Sequence, residues 1–221
     1  NNQNSSDNKE VSIQSDFKKQ FKNNSTLETG IKSTYRYFTN NSNFEILDPV
    51  QEQYQPDLVR SNSFRFGRQV YAAYASYLFN LQEWKIRTGL RYEHTLLNLN
   101  FGNSPIKVPD YKNLIPMLLF SRSFSDNHQI SLGYSKRISR PTIVSLNPIV
   151  NYIDTLSQEF GNPMLRPVVT HAIEGSYSYS YKALMVNTGI FFNQNNNGIE
   201  NIRTLKPGGI VESTYLNIAV N

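Results

Sequence analysis

The 221-residue chain contains no cysteine, so disulfide staples, thiolate zinc sites and cysteine nucleophiles are excluded from it. Long apolar runs are missing as well. A membrane-crossing helix needs about 20 consecutive apolar residues, whereas the most apolar stretch here, LIPMLLF at 114–120, is short and interrupted by Pro116. Charge of one sign is not concentrated either. The 22 Lys+Arg against 17 Asp+Glu give a net charge of +5 spread along the chain, a balance that does not demand nucleic acid as a partner. Only three histidines occur, His94, His128 and His171, without the spacing of metal ligands. No strand–elbow–helix serine motif is present, because the serine of GYSKR lies inside an alternating segment. The glycines of KPGGI at 206–210 are followed by no helix that could offer a phosphate-binding N-terminus. The expectation is a protein that is not an enzyme, with no cofactor and no metal.

Helical periodicity is nearly absent, and in its place apolar and polar residues alternate with period two. In WKIRTGLRYEHTL, one face carries Trp84, Ile86, Thr88, Leu90 and Tyr92, and the other Lys85, Arg87, Gly89, Arg91 and Glu93. LETGIKSTYRY repeats the scheme, setting Leu27, Ile31, Tyr35 and Tyr37 against Glu28, Lys32 and Arg36. Strands with so many charges on one face do not fit a sandwich core. Further alternating segments fall at about 10–21, 64–79, 112–123, 128–138, 170–181, 184–194 and 211–221, which makes about nine strands. The opening NNQNSSDNKE reads as part of a loop.

The connections alternate in length. Short turns, KNNS, NLQE, FSDNH and YKA, separate the members of successive pairs, and long polar segments at 39–63, 97–111, 139–169 and 195–210 join the pairs. This is the up-and-down plan of an outer-membrane barrel, with short turns on the periplasmic side and long loops outside. Strands of roughly 9–11 residues suffice to cross a bilayer when tilted. Aromatic residues gather near both strand ends: Phe21, Phe79, Trp84, Phe124 and Tyr181 by the short turns, and Tyr37, Phe64, Phe66, Tyr92 and Phe192 toward the long loops. Such positions predict two interfacial girdles. Interleaved arginines and tyrosines would also suit a single-strand nucleic-acid platform, but a wet-face, lipid-face strand produces the same pattern, and no nucleic acid is expected. The competing architecture is a soluble or surface-exposed β-rich adhesin or glycan-binding module. It would share the Asn, Ser and Tyr richness without needing one apolar face continued across every strand.

The segment running from Asn127 to Tyr179 carries Tyr134, Arg137, Ile138, Arg140 and Pro141, then Leu146, Asn147 and Pro148, then Gly161, Asn162, Pro163, Leu165 and Pro167, and finally Glu174 and Tyr177. This ordered set resembles the outer-membrane β-barrel family of TonB-dependent receptors from Bacteroidetes-type bacteria. The hairpin AAYASYLFNLQEWKIRTGLRYEHT at 72–95 and the stretch NTGIFFNQNNNGIENI are similar to neighbouring parts of the same family, and the likeness fades toward the N-terminus.

The resemblance implies an all-β antiparallel meander forming part of a transmembrane barrel of about 22 strands that surrounds a globular plug. It further implies ligand uptake energised by the TonB complex, with outer-membrane lipid and the protein's own plug as partners. Residues 1–221 are expected to be a middle section of that barrel, without the plug. The ligand is left open among iron chelates, cobalamin-like molecules, oligosaccharides and peptides. Glu28, Lys32, Arg36, Lys85, Arg87, Arg91, Glu93, Arg137 and Glu174 are the candidates for a lumen-facing surface that contacts plug or ligand. Glu93 and Glu174 are expected to pair with basic residues. Arg140, Pro141, Asn147, Pro148, Gly161, Asn162 and Pro163 mark where the sixth strand gives way to the longest loop. Pro141 cannot donate to a ladder, and the four long connections are expected to bind the ligand.

Overall fold

The computed structural model describes residues 2–49, 51–57, 61–102, 104–154 and 156–218. Eight long strands form one antiparallel meander. In order of pairing they are β1 (Asn2–Gln20), β2 (Thr26–Asp48), β4 (Asn62–Leu81), β5 (Trp84–Phe101), β7 (Tyr111–Ser125), β8 (His128–Ser139), β11 (Val168–Tyr181) and β12 (Leu184–Asn196). Two short strands prolong the hairpins beyond the long connections: β3 (Gln53–Pro56) pairs with the end of β2, and β6 (Ser104–Ile106) with the end of β5. The tight turns follow from residues in the left-handed region, Asn24 at φ 59°, Gln82 at φ 56° and Lys182 at φ 49°, which turns the chain within a few residues.

Several boundaries differ from those read in the sequence. The opening polar tract is not a loop, because β1 starts at Asn2 and Asn4, Ser5 and Ser6 pair with Ser42, Asn41 and Asn40 of β2. Low β-propensity is overridden there by a ladder that pairs the inner side of this edge strand with β2 along its whole length. The segments 39–63, 97–111 and 195–210 are likewise largely strand. Asn197, at φ 58°, kinks the chain between β12 and β13 (Gly198–Leu205), and β14 (Val211–Ile218) returns along β13. The ninth strand thus pairs with the continuation of the eighth, although it lies in a second sheet, of order β13, β14, β10 (Ser157–Glu159) and β9 (Asn151–Asp154). Its last three residues, 219–221, lie outside the described residues, as do 50, 58–60, 103 and 155 within the long connections.

The longest connection folds back on the sheet. It holds the single-turn helix α1 (Ile143–Leu146), β9 (Asn151–Asp154) and β10 (Ser157–Glu159), and β10 runs parallel to β14. Leu146 and Leu165 from this fold-back meet Phe64, Phe66 and Leu99 of β4 and β5 in one buried cluster, with Phe38, Ile106, Ile143 and Tyr215 around it. Phe64 and Phe66, expected in an interfacial girdle, are 0% and 1% exposed and belong to this cluster. Register gives the reason, since Phe66 pairs with Phe38 and Leu99 and so shares the face of the charged residues. The other strand aromatics named above keep to the apolar face: Phe79 opposite Ile86, Trp84 opposite Leu81, and Phe192 opposite Ile173.

Candidate functional site

Because directly paired residues of an antiparallel ladder share a face, register alone sorts the side chains. One row runs Gln14, Lys32, Ala72, Glu93 and Asn113; the next runs Asp16, Gly30, Tyr74, Arg91 and Ile115. Above them lie Glu10, Arg36, Arg68 and Leu97, and below them Lys18, Glu28, Ser76 and Gly89. Arg137 pairs with Thr170, and Glu174 with Gly133, which continues the same face onto β8 and β11. All nine charged residues singled out from the alternation therefore share one face of one sheet. The opposite face presents Ile13, Ile31, Tyr71, Leu90, Leu114, Leu132, Ile173 and Ile190, each exposed.

The charges on that face form cross-strand links. Glu28 receives Lys18 Nζ at 2.9 Å and Arg87 Nη2 at 3.0 Å, tying together β1, β2 and β5. Tyr74 passes over Gly30, where an added Cβ would lie 2.5 Å from the Tyr74 hydroxyl, and donates to Asp16. Gln14 Nε2 completes this group with bonds of 2.7 Å to Asp16 and 3.0 Å to Tyr74. Arg91 lies over the Tyr74 ring, 5.3 Å from its centroid, and its Nε donates to Glu93 at 2.6 Å. Glu93 is 5% exposed and also receives Arg140 Nη2. Arg137 Nη2 reaches Glu174 at 3.3 Å, with both partners exposed. The pairing expected of Glu93 and Glu174 is present. Lys32 and Lys85 have no side-chain hydrogen bond or ion pair among the described residues, and Arg36 Nε donates to Asn8 at 3.1 Å.

Arg140 does more than occupy a loop base. It leaves the end of β8, crosses in front of β7 and reaches Glu93 and Thr95 of β5, 3.4 Å from the Thr95 hydroxyl. The remaining loop residues then lock onto one another. Thr142 caps α1 by accepting from Ser145 N at 3.1 Å, the usual device for satisfying a free helix-end amide. Gly161 N donates to Asn147 O and Asn162 N to Ser145 O, both at 2.7 Å. A Cβ at Gly161 would lie 2.6–2.7 Å from backbone atoms of Asn147 and Ser145, so only glycine fits there. Asn162 Nδ2 donates to Tyr215 O at 3.1 Å, and Asn217 bridges Arg166 to Asn197. This segment, expected as a ligand-binding loop, has most of its motif's polar groups committed internally.

Sequence reasoning missed Asp16, Arg68, Tyr74 and Tyr111. The facing of 64–79 and 112–123 is hard to read because Ala72, Ala73, Ala75 and Pro116 blur the alternation. Registering those segments against the clear WKIRTGLRYE strand would have placed them. On the other face, His94 Nε2 meets Asp110 Oδ2 at 2.6 Å, and this bond holds the Asp110 carboxyl below its ordinary range. His171 and His128 bond Tyr134 and Tyr177 through Nδ1 at 2.9 and 2.7 Å.

No curated protein matches the chain by sequence. Among solved structures, it is similar to the copper transporter OprC, with a TM-score of 0.69 at 12% identity over 96% of this chain and 33% of that one. It is similar to the ferric citrate transporter FecA, with a TM-score of 0.58 at 15% identity over 89% of this chain and 28% of that one. The ferric enterobactin receptor PfeA of Pseudomonas aeruginosa gives a TM-score of 0.57 at 14% identity, over 98% of this chain and 40% of its own. The chain thus spans well under half the length of each of these proteins, and the likeness establishes their barrel fold. The signature described as "Outer membrane protein beta-barrel family" covers residues 1–221. The chain belongs to the outer membrane protein β-barrel family of the bacterial outer membrane, and it has the antiparallel wall of the receptor and transporter barrels.

Proposed function

We propose that residues 1–221 form part of the barrel of a TonB-dependent receptor that takes up a ligand through a plugged lumen, with no catalytic step. The observation that carries this reading is the division of the sheet: charges tied across β1, β2, β5, β8 and β11 on one face, and exposed apolar side chains on the other face of all eight long strands. In a barrel this arrangement sets a wet or plug-filled lumen against lipid. The apolar face meets outer-membrane lipid, and the charged face meets the protein's own plug, which is supplied from outside this chain. The TonB complex supplies the energy. Glu28, Lys32, Arg36, Lys85, Arg87, Arg91, Glu93, Arg137 and Glu174 line the passage, and the fold-back from Arg140 to Pro167 narrows its outer end. The ligand is a small molecule, glycan or peptide. The cargoes named for the similar structures, copper, ferric citrate and ferric enterobactin, make metals and their chelates the first class to try.

The test is growth of a deletion strain and its complemented parent across metal-limited, vitamin-limited and glycan-limited media. A defect on one source, restored by the intact gene and not by one lacking the energy-coupling segment, supports uptake. Equal growth on every source refutes it.

A further inference from the structure

The charged face holds more cations than its carboxylates neutralise. Glu93 is shared between Arg91 and Arg140, and Arg36 is bonded to Asn8. Arg68, in the same row as Arg36, is half-buried and has no ion pair or hydrogen bond among the described residues. Its guanidinium leans on the Phe66 ring, 6.0 Å from the centroid, within electrostatic range of Arg36, Arg140, Tyr111 and Glu10. Beside it the Tyr111 hydroxyl, in weak contact with Thr95 and Arg140, is removed from water with no hydrogen bond of ordinary geometry. Register puts Tyr111 opposite Thr95, beneath the arm of Arg140.

A half-buried guanidinium among two others, with a phenyl ring beneath and a water-excluded hydroxyl beside it, is costly when empty, because partly desolvated charge and weakly paired polar groups both raise the free energy. The exposed Glu10 is the one carboxylate in range of Arg68; the guanidinium can only donate and the Tyr111 hydroxyl can donate, so an anion suits both. We propose that Arg68 and Tyr111, with Arg140 at their edge, form a receiving site for a carboxylate or phosphate group. Guanidinium suits such groups because its planar fork matches two oxygens. The site lies beneath the cluster of Phe64, Phe66, Leu146 and Leu165 and beside Glu93, which leaves Arg91 and Arg140 fixed while Arg68 stays free to bind. The chemistry stands by itself; its role in ligand capture rests on the uptake reading. The anion comes either from a free acidic ligand or from an acidic side chain elsewhere in the same receptor.

The experiment uses the full-length receptor in detergent, titrated with citrate and with inorganic phosphate by calorimetry, alongside Arg68→Gln and the exposed control Arg203→Gln. Free-ligand binding predicts a measurable affinity that weakens at least about tenfold in Arg68→Gln and is unchanged in the control. An internal acid predicts no response to either anion, with a lower melting temperature for Arg68→Gln than for Arg203→Gln. Equal anion binding in all three proteins, or no binding together with equal melting, overturns the proposal. Either result can occur with uptake intact in cells, which separates its failure from that of the transport reading.

Discussion

Replacing Gly161 by alanine tests whether the long connection is a built structure or a free loop. In the folded chain a Cβ at this position would sit 2.6 Å from Asn147 N and 2.7 Å from both Asn147 O and Ser145 O. All three are backbone atoms, so no side chain can rotate away and the two crossing segments must separate. Separation breaks the bonds from Gly161 N to Asn147 O and from Asn162 N to Ser145 O, each contributing roughly 1 kcal/mol net. Forced repacking adds about 1–3 kcal/mol. The sum, roughly 3–5 kcal/mol, falls on local opening of the fold-back and leaves the strand ladders intact. Converted at a factor of ten per 1.4 kcal/mol, it corresponds to amide exchange faster by about 100- to 4,000-fold. Hydrogen-exchange mass spectrometry on the full-length receptor in detergent reads this directly in peptides covering 143–149 and 160–166. Gly133→Ala is the control, since its Cβ would meet Leu119 Cδ1 at an ordinary 3.5 Å and exchange there should stay close to wild type. Wild-type protection of both peptides in Gly161→Ala would refute the crossing as the element that holds the loop.

Removing Arg140 as Arg140→Gln leaves Glu93 with Arg91 alone; a broken buried pair costs about 3–5 kcal/mol, and the surviving partner reduces this to roughly 2 kcal/mol, measured as faster exchange in the same peptides. Glu93→Gln should loosen the fold-back similarly, and the double variant should cost less than the two singles added together, because both remove one link. Leu146→Ala empties a site in the Phe64–Phe66–Leu99 cluster and should cost about 2–5 kcal/mol, seen as protease cleavage within 143–165 at concentrations that spare the wild type. Leu132→Arg puts a charge on the apolar face at a cost of about 2–4 kcal/mol and should lower the folded, heat-modifiable fraction on gels. Ser131→Arg, one residue away on the other face, should fold normally; equal defects in both would remove the assignment of faces.

Facing was legible wherever a strand alternates without small residues. WKIRTGLRYE and LETGIKSTYRY each assign their charges unaided, because a one-residue slip would move every side chain across the sheet. The extent of pairing was not legible. Asn40, Asn41, Asn98 and Asn100 carry no apolar signal, yet they sit in ladders that continue from the alternating part, where backbone pairing is set by the neighbouring strand and not by the residue. Phe64 and Phe66 looked like girdle residues because nothing local shows that Leu146 and Leu165, some 80–100 positions later, cover them. The reach of Arg140 to Glu93 was hidden for the same reason: a loop's return path is a long-range fact, whereas strand facing is a local one.

The two asparagine–proline pairs explain what the strongest motif in the sequence does. Proline brings no N–H and holds the residue before it extended, so the asparagine side chain is free to satisfy the next available amide. Asn147 Oδ1 accepts from Ile149 N at 3.1 Å, and Asn162 Oδ1 accepts from Met164 N at 2.9 Å. With both bends fixed in this way, the segments cross at Gly161 and carry Leu146 and Leu165 onto β4 and β5. Arg140 is drawn in from the other side by Glu93. The motif's side chains are thereby spent on shaping the wall, which leaves ligand chemistry to groups outside the motif. Arg68, which has no ion pair, and Tyr111 lie beneath that fold-back with donors still available to an anion.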